Sequence, residues 1–204
     1  MKITLNQIKE YSPCANSWES LLGKLPEDID FDKPLDVKML IGLVPVRNAV
    51  WALRCLENKK LCVEFAIMCA ESALHIFEEK YPDSSRPRDA IEAAKKWLAD
   101  PNEDNRAAAA RAATAYDYYI AVADYDAYTD DAYYAAANAH YAADAAYYAA
   151  DAAVNAADTA NAADAYAAAA RAADAADPYT ERQKQKQFLL ELIDKYYGVA
   201  YENN

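Results

Sequence analysis

The stretch AADAAYYAADAAVNAADTAN, residues 142–161, reads in sevens. Two full heptads, AADAAYY (142–148) and AADAAVN (149–155), are followed by AADTAN (156–161), which is one residue short, and YTDDAYY (128–134) and AAANAHY (135–141) extend the register backwards. Seven residues make almost two helical turns, so equivalent positions stay on one side and drift by only ~20° per heptad. Alanine makes up nearly half of residues 102–176, and that stretch holds neither glycine nor proline. Because alanine has the highest helix propensity, nothing there stops a helix. The expectation is helix over most of 102–177, with one interruption near 126–130, where Thr129 or Asp130 can cap a new start.

Outward from this array the whole chain reads as all-α. Only three glycines, Gly23, Gly42 and Gly198, occur in 204 residues, and strands joined by tight turns need more residues that tolerate positive φ. Three segments are expected. Residues 1–100 form a compact domain of short amphipathic helices: one capped by Thr4 and running to Lys9, one from about Cys14 to Leu22, one opening at Pro45, one from about Lys60 to Lys80, and one from about Arg86 through Trp97. The stretch LPEDIDFDKPLD (25–36), with two prolines and five acids, reads as a loop. Residues 101–177 are the alanine, aspartate and tyrosine-rich repeat. Residues 178–204 supply a last amphipathic helix that folds back onto the first domain.

Charge and cysteine usage narrow the class. The net charge is −12, and residues 101–180 hold thirteen acidic side chains against three arginines. That imbalance disfavours nucleic acid and anionic membrane as direct partners and suits a basic protein. No run approaches the ~18 apolar residues of a membrane span, and the Met1 start lacks the pattern of a secretory signal, so a cytoplasmic location is expected. Cys55, Cys62 and Cys69 recur every seven residues among apolar neighbours, which reads as a buried helix face of free thiols. Close cysteine pairs are lacking and only His75 and His140 are available, so no metal and no cofactor are expected.

Several residue sets are candidates for function. Asp117, Asp124 and Asp131 form one acidic stripe, Asp144, Asp151 and Asp158 a second, and Tyr134, Tyr141 and Tyr148 a tyrosine stripe roughly 40–80° from it. Tyrosine gives rigid contact area at low entropic cost, and aspartate holds its charge close to the backbone, so these nine residues are the expected partner-binding surface. The bland alternative is a solvated helix face. Alanine between the stripes would let a neighbouring helix, or a second copy of the chain, approach closely. Trp51, Arg54, Arg86 and Arg88 form a candidate anion pocket, although Trp18, Trp51 and Trp97 also suit a core. Glu71, His75 and Glu78 lie on one helical face, but a metal there would need further ligands. Neither a P-loop nor a nucleophile elbow occurs, and no catalytic residues are expected.

The segments KITLNQIKEYSPCANSWESLL (2–22), NAVWALRCL (48–56), CVEFAIMCAESALHIFEEKYPD (62–83) and RPRDAIEAAKKWLA (86–99), followed by an alanine-rich repeat, resemble a family of immunity proteins of phages and bacteria. The resemblance covers about the first 115 residues. It implies a helical fold and a role in neutralising a toxin or another system's effector, and it carries no catalytic residues. The function expected from all of this is a non-enzymatic inhibitor that occludes a basic, nucleic-acid-binding protein. The alternatives are a DNA mimic aimed at a restriction or CRISPR-type enzyme, a sponge for an anionic nucleotide signal, and a structural spacer.

Overall fold

The computed structural model describes residues 1–114, 130–157 and 161–198. Among them the protein is all-α, apart from two strands of two residues each. These are β1 (Lys2–Ile3) and β2 (Leu35–Asp36), which pair antiparallel and tie the N-terminus to the end of the acidic loop.

The first helices start where local chemistry caps them. Helix α1 (Leu5–Glu10) opens with a full capping box, Thr4 accepting from the Gln7 amide while the Gln7 side chain accepts from the Thr4 amide. Helix α2 (Ala15–Leu22) follows the break at Ser12, which takes a left-handed φ of 53°. The reading of 25–36 as loop needs one correction at its end, where Leu35 and Asp36 are strand. Asp36 then caps α3 (Val37–Leu43), accepting from the amides of Lys38 at 2.9 Å and Met39 at 3.2 Å. Helix α4 (Val46–Trp51) continues as a 3₁₀ turn, Ala52–Leu56, and Asn58 caps α5 (Lys59–Lys80). Helix α6 (Arg86–Ala99) carries Pro87 in its first turn, where the missing amide proton costs nothing.

Helix α5 is the wall against which α6, the long alanine-rich helices and the last helix pack. Phe65, Leu61, Val63, Ala66, Cys62 and Cys69 on it are all buried. The alanine-rich segment supplies α7 (Glu103–Thr114), α8 (Asp130–Val154) with a 3₁₀ turn at Asn155–Ala157, and α9 (Asn161–Ala175). A new helix does begin at Asp130, while residues 115–129 lie outside the described ones. A second break departs from the expectation: α8 passes into the 3₁₀ turn at Asn155–Ala157, and α9 opens at Asn161. The chain reverses there: Asp144 faces Arg171 and Asn155 bonds Asp164, pairings that run antiparallel along α8 and α9.

Helix α8 is flanked by α5, α6, α7 and α9, so it is covered on several sides. Ala139, Ala142, Ala145, Ala146, Ala149 and Ala152 are each fully buried. Side chains this small let helix backbones approach closely. The neighbouring helices that these alanines were expected to admit belong to the same chain, and the buried residues of 1–100 and of the array merge into one hydrophobic core. Helix α10 (Pro178–Tyr197) lies against α5, α9, α3 and α4. Its end is fastened where Lys195 at 2.5 Å and the Tyr196 hydroxyl at 2.8 Å both donate to Glu64.

Candidate functional site

The expected partner-binding stripes divide when placed on the fold. Asp117, Asp124 and Asp158 lie outside the described residues, and Asp131 is in the first turn of α8. The Asp144 side chain keeps only 18% of its surface, because it turns into the α8/α9 seam. There Arg171 Nε stands 3.4 Å from its carboxylate, His140 Nε2 stands 3.9 Å away, and the Arg171 guanidinium lies over the Tyr141 ring at 5.4 Å. Asp151 is half-buried on the same helix, and Tyr148 packs edge-on against Tyr147. At Asp144 and Tyr141 the heptad spacing thus marks a seam between two helices of one chain. Tyr134 is the exception and projects into solvent.

An acidic and aromatic surface does face outward at the corner between α9 and α10. Asp174 and Asp177 are exposed there, and Tyr179 is 75% exposed. Asp177 also caps α10, accepting from the Thr180 amide at 2.8 Å, and the Thr180 hydroxyl and then this amide hold its carboxyl below the usual range.

The residues of the expected anion pocket are not brought together. Trp51 and Arg54 precede α5, and Arg86 and Arg88 follow it, so a helix of 22 residues, about 33 Å long, separates the two pairs. Arg54 braces Trp51, its guanidinium 4.5 Å from the ring centroid and its Nε donating to the Trp51 carbonyl at 2.9 Å. Arg88 is held by both carboxylate oxygens of Glu78, at 2.7 and 2.8 Å. Glu71 is likewise engaged, by Lys95 at 2.7 Å, and His75 is exposed.

Trp51 instead lines a cleft that sequence reasoning did not find. Its apolar interior, a cavity of about 70 Å³, is walled by Trp18, Leu21, Leu40, Ile41, Leu53 and Leu56. Its mouth, about 250 Å³, is formed by Cys14, Ser17, Arg47, Asn48, Trp51 and Tyr166. The two spaces adjoin, sharing Pro13, Ser17, Asn48 and Trp51 in their walls. Arg47 is exposed and makes no ion pair or hydrogen bond among the described residues. Cys14 is the exposed cysteine, with Sγ 3.0 Å from Ser17 Oγ. The Ser17 hydroxyl and amide, and then the Arg47 charge, favour its thiolate and lower its pKa. Cys55, Cys62 and Cys69 are buried and free, and burial pushes Cys55 up to about 11 and Cys62 up to about 12.

One buried polar group is conspicuous. Glu181 of α10 is fully buried, with Ser72 Oγ donating to its Oε1 at 2.5 Å. Lys184 lies 3.3 Å from Oε2 as an ion pair without hydrogen-bond geometry, so that oxygen has no hydrogen-bond partner among the described residues. Nearby, Gln185 donates to the Ala169 carbonyl at 2.7 Å, joining α10 to α9. No group of three metal-ligating side chains occurs among the described residues, and no helix there is long and apolar enough to cross a membrane. No protein-family model, curated protein or solved structure matches the chain.

Proposed function

We propose that the protein is a non-enzymatic inhibitor of the immunity or counter-defence type, which binds a basic protein partner and occludes it. The reading rests on one observation above others: Tyr179 stands 75% exposed between acidic residues at the α9/α10 corner of a chain with net charge −12. A large aromatic held in solvent on a firm helical body is a contact residue of the kind binding surfaces favour. Asp177 and Asp174 beside it add to the field that speeds encounter with a cationic surface, Asp174 doing so although it shares Arg171 with Asp144, at 3.7 Å. Asp144 contributes to that field from within the α8/α9 seam, where it is already partnered, and Asp151 from a half-buried position on α8.

The test begins with the whole chain immobilised and a basic partner bound from the cells that encode it. Association of that partner is then followed against salt. Tyr179→Ala is expected to speed dissociation, and Asp174→Asn to slow association and flatten its salt dependence. Both positions are exposed, so folding should change by no more than ~0.5 kcal/mol. Binding that ignores salt and both substitutions would sink the proposal.

A further inference from the structure

We infer that the cleft between α2, α3, α4 and α9 binds a small amphipathic anion, a monocarboxylate with a short aliphatic tail. The cleft is divided chemically. Its interior is walled by aliphatic and indole carbon, and its mouth gathers one cation and several neutral polar groups. Arg47 is an uncommitted guanidinium in a chain that carries twelve more negative than positive charges. The half-buried Asn48 side chain beside it also has no hydrogen-bond partner among the described residues. A planar guanidinium takes a carboxylate through two parallel hydrogen bonds, and the Asn48 amide and the Ser17 hydroxyl are placed at the same mouth as further donors. One cation matches a monoanion. A dianionic phosphate would leave one charge uncompensated.

The size of the interior sets the tail. At about 70 Å³ it is roughly half of the ~150 Å³ apolar cavity that accommodates benzene, so a ring is excluded and a chain of a few carbons enters. The indole of Trp51, fixed from behind by Arg54, and the ring of Tyr166 flank the point where head meets tail. This site owes nothing to the acidic corner.

Cys14 makes the proposal measurable. It is the exposed thiol at the mouth, so an occupied cleft slows its reaction with a thiol reagent such as dithiobisnitrobenzoate. Labelling of the native chain is followed with butanoate, pentanoate, hexanoate and octanoate as probes. Affinity read from this protection is expected to tighten about fourfold per added methylene until the cavity is full, then level off. Arg47→Gln, at an exposed position, is expected to weaken hexanoate at least tenfold. Hexan-1-ol and hexylamine are expected to protect far less than hexanoate, and butyl phosphate less than pentanoate. Equal protection by the alcohol or the amine, or no effect of Arg47→Gln, overturns the proposal. So does protection by a peptide ending in leucine carboxylate with none by hexanoate, which would make the cleft a reader of chain termini.

Discussion

The two halves of this molecule build their shares of one core from opposite materials. Residues 1–100 bury large side chains, Phe65, Leu5, Leu61 and Ile91 among them, that interlock across helices. Helices α8 and α9 bury almost only alanine, at Ala142, Ala145, Ala149, Ala165, Ala168 and Ala172. The first half draws stability from the area each side chain removes from water, the second from the close approach of backbones. Each half should therefore be sensitive to the substitution that the other tolerates better.

The largest effect is expected in the first half. Phe65→Ala deletes a fully buried ring on the helix that both halves share, and should destabilise by ~3–5 kcal/mol in chemical denaturation. Trp51→Ala should remove less, because the indole is half-buried at the cleft and not enclosed. If Trp51→Ala matched Phe65→Ala, the cleft would be no cleft in solution.

The alanine half should respond to added volume. Ala149→Leu places three further carbons where α8 is surrounded, and is expected to cost ~1–3 kcal/mol or more through displaced helices. A neutral result would show that the seam is loose and that the contrast between the halves is only compositional.

Where the halves meet, the buried Glu181 gives a finer measure. Ser72→Ala removes the hydroxyl donor from a carboxylate that has no other hydrogen bond among the described residues, which should cost ~1–3 kcal/mol. Asp144→Asn in the α8/α9 seam should cost at most ~1 kcal/mol, since its partner Arg171 is partly exposed and the pair is long at 3.4 Å. The order of these two matters more than their values: an Asp144→Asn loss exceeding that of Ser72→Ala would make the seam, and not the α5/α10 junction, the principal polar joint.

Helix starts were legible at most local signals. Thr4 with Gln7, Pro45, Pro87 and Asp177-Pro178 each stand at a helix start as their chemistry requires. Helix α3 was missed although Asp36 with Val37, Leu40 and Ile41 offers a cap and the right spacing, because the prolines of 25–36 dominated the reading. The heptad repeat is helix over Asp130–Val154 as its composition predicts, while the change to a 3₁₀ turn at Asn155–Ala157 had no counterpart in that expectation. Its periodicity cannot say whether a stripe meets water or another helix of the same chain, and for Asp144 the answer came from Arg171, 27 residues away. The cleft was invisible for the same reason. Arg47 and Tyr166 belong to different segments, and only the packing of α9 on α4 brings them to one mouth.

The smallest effect concerns the thiols, and it tests whether the halves open separately. Cys62 and Cys69 lie on α5, Cys69 close to Glu181 of α10, so any opening that lifts the C-terminal helices away exposes Cys69 while leaving the first half folded. Cys14, already exposed and with its thiolate favoured by Ser17 and Arg47, should react first and at a pH below that of an ordinary thiol. Ser17→Ala should raise the midpoint of that pH profile, and Arg47→Gln should raise it by less, following the order of their influence on the sulfur. Cys55, Cys62 and Cys69 should stay silent under native conditions and become reactive together with global unfolding, because one continuous core encloses them. Reaction of Cys69 in advance of the unfolding transition would show that the alanine half detaches as its own unit, and the single core inferred from the packing would have to be divided in two.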